Sequence, residues 1–174
     1  APRLVKSIDG IEQAAAPAEA LDISPTNLEH IRQGMFAVSN NRRGTAYRTR
    51  VVDDAMRLAG KTGTSQVRNI TAAERAQGVF RNEDLPWERR DHALFVAFAP
   101  YDAPEIAVSV VVEHGGGGST AAAPIARDIA LRALYGEVPP LSAYPSDQRG
   151  QIQALFRDLP LIDVPPTPTG RTRA

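Results

Sequence analysis

The sequence contains no cysteine, so neither a disulfide framework nor a thiolate metal site can be built from it. It also lacks a charge bias. Twenty Lys and Arg balance 20 Asp and Glu, which leaves no field to gather polyanions, and nucleic acid is not expected as a partner. No apolar run approaches the roughly 20 residues that cross a bilayer. Ala1 opens no charged, cleavable leader, so the chain reads as soluble or as separated from an anchor. Neither a Gly-x-Ser-x-Gly elbow nor a His-Glu-x-x-His motif is present, which removes the commonest serine-hydrolase and zinc-protease chemistries. His30, His92 and His114 share no metal-ligand spacing and are expected in structural or surface roles. No cofactor and no metal are expected. Lysine itself is scarce, since Lys6 and Lys61 are the only two among the 20 basic residues, and an amine inside a motif therefore stands out.

What is present suits a globular domain: 174 residues, 43% of them hydrophobic. Residues 1–23, broken by Pro2, Gly10 and Pro17, read as irregular, with a short strand or ribbon through Leu4, Val5, Ile8 and Ile11 as the alternative. Ser24-Pro25 offers a cap followed by proline at the first helical position. Leu28, Ile31, Met35 and Val38 then recur at helical spacing, predicting a helix that ends near Asn40-Asn41. A turn at Arg42-Arg43-Gly44-Thr45-Ala46 leads to a short helix or extended piece carrying Val51, Val52, Met56 and Leu58. The β-branched stretch from Lys61 to Val67 favours a strand. Residues 68–90 are polar and read as a long loop with room for one helical turn, with Phe80 and Trp87 as anchors and its arginines as a solvated surface. Residues 93–99 are continuously apolar, as in a strand covered on both faces, and residues 106–112 alternate, so the two predict an antiparallel hairpin. A helix follows the glycines at 115–118 and closes at Gly136. Residues 146–159 fit a further amphipathic helix, and Pro165-Pro166-Thr167-Pro168 reads as a disordered tail.

The sharpest chemical signal is Lys61-Thr62-Gly63-Thr64. A strand that presents an ammonium, hydroxyls and a side-chain-free gap can hold a carboxylate-bearing peptide. The tripeptide alone is common. A phosphate-binding loop would need glycine five positions before Gly60, where Ala55 stands, and a helix directly after it. His114 and the glycines 115–118 read as a strand-to-helix connection, with an anion nest as the alternative.

Context sharpens the motif. Residues 59–67 (Ala-Gly-Lys-Thr-Gly-Thr-Ser-Gln-Val), Arg90-Asp91-His92, Phe98-Ala99-Pro100-Tyr101 and Val112-Glu113-His114-Gly115-Gly116 occur in this order, with Gly44-Thr45-Ala46 ahead of them. Together they resemble the class B penicillin-binding proteins, and within these the penicillin-binding protein 2 family of elongation transpeptidases. The resemblance covers residues 24–136. It implies a fold of the α+β type: an antiparallel five-stranded sheet flanked by helices, in the transpeptidase and β-lactamase manner. This chain would supply strands near residues 59–67, 92–99 and 105–113 and a covering helix near 120–135. Residues 1–136 are accordingly expected to be the C-terminal part of a transpeptidase domain, and residues 137–174 a Pro-rich, partly disordered extension.

By the same resemblance, Ser-x-x-Lys supplies a nucleophile, Ser-x-Asn assists proton transfer and Lys-Thr-Gly lies on a sheet-edge strand. Only the third is expected here. The positions three before Lys6 and Lys61 hold Arg3 and Leu58, and Ser39-Asn40-Asn41, at a predicted helix end, is taken as a chance match. The nucleophile is expected upstream of Ala1, and the chain by itself is expected to be inactive. Lys61 would stabilise the charge network, Thr62, Gly63 and Thr64 would form the substrate strand, and the Thr64 N–H would be one of two oxyanion donors. The implied partners are a peptidoglycan stem peptide and β-lactams, the upstream half of the same protein, and a rod-complex glycan polymerase with scaffold proteins. The implied location is the periplasmic face of the bacterial inner membrane. A non-catalytic peptidoglycan- or partner-binding module on the same fold is the alternative.

Overall fold

The computed structural model describes residues 5, 7–14 and 22–158; the tail expected to be disordered lies outside them. The chain divides into two compact units, residues 1–31 and residues 32–174.

The first unit holds a short hairpin where irregular chain is expected. Strand β1 (Ser7–Ile8) pairs antiparallel with β2 (Ile11–Glu12). Asp9 and Gly10 between them both have positive φ, 49° and 80°, the backbone that a two-residue Asp-Gly turn requires. The first helix, α1 (Pro25–Asn40), starts at its proline, with the Leu28 N–H donating to the Ser24 carbonyl at 3.0 Å. Its expected apolar stripe divides: Val38 packs against the core, whereas Leu28 and Ile31 stay exposed.

In the second unit, α1 ends in a tight turn. The Gly44 N–H donates to the Asn41 carbonyl and the Ala46 N–H to that of Val38. A Cβ on Gly44 would stand 2.2 Å from the Val38 carbonyl oxygen, so only glycine fits beneath the helix end. Residues 51–58 then run extended apart from one 3-10 turn at Asp54–Met56. Val51 and Leu58 are buried there, while Val52 is exposed.

The central feature is a three-stranded antiparallel sheet in the order β3 (Ala59–Ser65), β4 (His92–Ala99), β5 (Ile106–Val112), as the sequence pattern predicts. Alternation along β4 puts Ala93, Phe95, Ala97 and Ala99 on one buried face. Helix α3 (Ala123–Tyr135) packs Ala123, Ala126, Ala130 and Leu131 into the same core. Small residues on both sides let helix and sheet approach closely. One turn of π-helix, Gly118–Ala122, precedes α3, and Gly136 in the left-handed conformation (φ 72°) ends it. Among the described residues β3 and β5 each have β4 as their sole strand neighbour.

The polar stretch 68–90 is more ordered than a solvated loop. It holds helix α2 (Ala72–Gln77), capped by the Thr71 hydroxyl, which accepts from the Glu74 N–H. The Arg68 guanidinium makes two 2.6 Å hydrogen bonds to the Glu74 carboxylate. These side chains are only 12% and 11% exposed, so Arg68 is an internal tie and not part of a solvated surface. The expected anchors Phe80 and Trp87 are exposed, and Leu85 is the buried residue of the segment.

Beyond Gly136 the chain contributes Ala143, Tyr144 and Ile152 to the common core, and α4 (Arg149–Asp158) forms where an amphipathic helix is expected. Arg127, 2% exposed, lies over the Tyr144 ring and donates to Asp128 and Gln148. Gln148 in turn donates to the Arg48 carbonyl.

Candidate active site on the edge strand

The register of β3 on β4 decides where its side chains go. Thr62 lies opposite Phe95 and Thr64 opposite Ala93, on the core-facing side of the sheet; Lys61 and Gly63 lie opposite Val96 and Leu94, on the other side. Lys61 and Thr64 are exposed, while Thr62 and Gly63 are half-buried. The Lys61 ammonium donates to the Thr62 carbonyl at 2.6 Å and pairs with no carboxylate among the described residues. The outer edge of β3 carries no strand among them either. An unneutralised amine beside exposed hydroxyls on an open strand edge is suited to receive an anionic peptide end.

Three glycines shape this strand. A Cβ on Gly60 would overlap the Phe95 ring, and one on Gly63 would stand 3.2 Å from the Leu94 Cβ. Gly118, at the start of the π-turn, is the tightest: its Cβ would lie 2.3 Å from the Leu94 carbonyl oxygen and 2.5 Å from that of Gly63. The close backbone approach at Gly63 visible within the fold is therefore that of Gly118, buttressing the strand from its core side.

A second hydroxyl reaches the strand from the turn after α1. Thr45 Oγ1 lies 3.0 Å from Thr62 Oγ1. Ser39, by contrast, is 1% exposed within α1, and Asn40 Nδ2 donates to the Phe36 and Leu58 carbonyls. Asn40 thus fastens the helix end to the entry of β3, and the buried Ser39 presents no accessible hydroxyl.

The remaining motif segments form the frame. The Gly116 N–H donates to the Asp91 carbonyl at 2.8 Å, and the His114 N–H donates to His92 Nδ1 at 2.9 Å. His92 is thereby the tautomer with its proton on Nε2. The His114 ring lies between His92, which it meets edge-on, and Trp87, which it meets at a tilt, with centroids 4.6 and 4.3 Å away. At the opposite end of β4 the Tyr101 N–H donates to the Arg57 carbonyl, and its ring packs on Phe36. Both histidines are structural, and no group of ligands able to hold a metal ion occurs among the described residues.

The model of the penicillin-binding protein transpeptidase domain matches residues 1–131. The chain belongs to that family. Peptidoglycan D,D-transpeptidase MrdA of Haemophilus influenzae is 36% identical over 148 residues, which make up 82% of this chain and 22% of the relative. The Acinetobacter baumannii protein of the same name is 40% identical over 110 residues, 62% of this chain and 15% of that one. The chain thus spans between about a seventh and about a fifth of the length of these curated relatives. Among solved structures, Pseudomonas aeruginosa PBP2 in complex with WCK 5153 is 34% identical with a TM-score of 0.50, covering 80% of this chain and 27% of that one. Helices around antiparallel strands are what this transpeptidase fold predicts, and the relatives bear out the expected elongation-type resemblance.

Lys61, Thr62, Gly63 and Thr64 thus fall together on one edge strand, while Thr45 and Gly118 join them from elsewhere in the chain. The Gly44-Thr45-Ala46 pattern and the glycine run at 115–118 were the signals for these two, but neither reveals its partner.

Proposed function

We propose that this chain is the substrate-positioning part of a serine-type peptidoglycan D,D-transpeptidase, and that its nucleophile lies in a Ser-x-x-Lys motif outside this sequence. The observation that carries the reading is the open edge of β3, with Lys61 and Thr64 exposed beside Thr62. The curated relatives are named D,D-transpeptidases, which supports the same reaction here.

In this reading the carboxylate of a donor stem peptide, or of a β-lactam, lies along β3. Thr62 and Thr64 donate hydrogen bonds to it, charge-neutral donors that leave the Lys61 ammonium to balance the local negative charge. Gly63 keeps the strand low between them. The Thr64 backbone N–H is one oxyanion donor, and the nucleophile's own N–H is the other. Preorganised donors of this kind are worth about 3 kcal/mol each in acyl transfer. They stabilise a tetrahedral intermediate but do not form the acyl bond, so the chain alone is inactive. The site faces the periplasm, where peptidoglycan is made, and glycan polymerase and scaffold proteins are the expected companions of the intact enzyme.

Labelling by a fluorescent penicillin, read by intact mass, tests this on the chain alone and after mixing with the Ser-x-x-Lys-bearing segment of its gene product. The expected result is no adduct alone and an adduct on the added segment after mixing. An adduct on this chain alone, abolished by Lys61→Ala, would overturn the placement of the nucleophile. A folded mixture with no adduct would favour a non-catalytic binding module.

A further inference from the structure

We infer that Thr45 is a positioning residue for the carboxylate end of the acyl donor, acting through Thr62; the inference rests on the transpeptidase reading above. Thr45 and Thr62 are 17 residues apart in sequence, yet their hydroxyl oxygens lie 3.0 Å apart. A threonine hydroxyl owns one proton and can accept as well as donate. If Thr62 gives that proton to Thr45, it has none for a substrate. When Thr45 donates to Thr62, the Thr62 proton is free for a carboxylate, and each bond polarises the other.

Either hydroxyl can be the donor in the free protein; the backbone fixes where the Thr45 hydroxyl stands. Thr45 is exposed, but its neighbours are held firmly: Gly44 sits under the Val38 carbonyl with no room for a side chain, and Ala46 is 1% exposed, its N–H bonded to Val38. The Thr49 N–H then donates to the Ala46 carbonyl. The Thr45 hydroxyl is thus presented to β3 from a rigid turn, and it restricts the rotamer of Thr62 before any ligand arrives. Among the described residues that hydroxyl has no other hydrogen-bond partner, so orienting Thr62 is the chemistry it has available. The ligand class is a peptide or lactam bearing a carboxylate next to the reacting carbonyl, and the consequence is selectivity for that carboxylate.

The test uses the intact gene product and compares acylation by benzylpenicillin with acylation by its methyl ester, whose carboxylate is blocked. Thr45→Val is expected to slow the benzylpenicillin reaction about tenfold and to leave the ester rate within about twofold. Thr45→Ser should restore the preference, and Thr45→Ala, smaller at an exposed site, serves as a second variant without the hydroxyl. With Thr62→Val already in place, adding Thr45→Val should change the ratio of the two rates no further. An equal fall for both reagents, or no fall, would overturn the inference. Absence of acylation in the unsubstituted protein would overturn the transpeptidase reading instead, and the two failures are thereby told apart.

Discussion

A Cβ on Gly60 would stand 2.3 Å from Cζ of Phe95. The Phe95 ring, 1% exposed, lies directly against Gly60 near the start of β3, and glycine at 60 is what lets the edge strand close over it. Gly60→Ala therefore overpacks the core, at a cost of about 1–3 kcal/mol. The thermal midpoint should fall by roughly 2–12 °C, readable by circular dichroism. Gly63→Ala, whose nearest contact is 3.2 Å, should have a smaller effect on the same measurement.

Gly118→Ala meets main chain and not a movable side chain, since the nearest atoms are the carbonyl oxygens of Leu94 and Gly63. The strand has to shift where its central glycine lies. Amide hydrogen exchange at residues 62–65 should accelerate more than at β5, and penicillin acylation of the intact gene product should drop with it. Unchanged exchange in β3 would show that the π-turn moves and the strand does not.

The Arg68 guanidinium, bonded to its carboxylate, holds Glu74 below the usual carboxylate range, with help from the Phe80 N–H. A folded-state value below the unfolded one means this contribution is complete above the unfolded pKa of about 4.3 and is lost as pH falls through the folded value. Hydrogen-exchange protection factors in residues 68–80 should therefore fall at acid pH while those of β4 hold. Glu74→Gln should show the loosened segment at neutral pH too, and an acid response unchanged by Glu74→Gln would refute the assignment.

At the other end of the scale, burial first, and then the bond to Asp53, push the Tyr135 phenol up to about 12. Burial first, and then the Asp128 charge, do the same for Tyr144, also to about 12. The folded values exceed the unfolded one, about 10. The folded state thus retains protons that the unfolded state has shed, and stability declines between about pH 10 and 12. Urea midpoints measured across that window should fall less steeply in Tyr135→Phe than in the unsubstituted chain.

The strands were legible because periodicity marks them: the continuous run 93–99 and the alternation 106–112 leave little choice of element. The helix ends at Pro25 and Gly136 follow from backbone chemistry local to those residues. The hairpin at Asp9-Gly10 carries a turn signal too, but with two residues on each side the strands have no periodicity to announce them. Helix α2 was signalled by Thr71 and Glu74, the ends of a capping box, inside a segment whose polarity suggests loop. The site divides in the same way. Lys61 to Thr64 are consecutive and need only a strand to bring them together. Thr45, Gly60 and Gly118 matter through what they touch, and contacts with Thr62, Phe95 and the Gly63 backbone depend on tertiary placement that no local pattern encodes.

Gln148 links Arg127 on α3 to the carbonyl of Arg48, three residues past Thr45. A hundred residues of chain separate Gln148 from Arg48, and no motif contains it. Surveys of sequence variation that weigh substitutions by their nearness to Lys-Thr-Gly would pass over this position. A change there removes a tie to the far side of the turn that presents Thr45, making Gln148 a place from which substitutions are expected to reach β3 without altering any residue from Lys61 to Thr64.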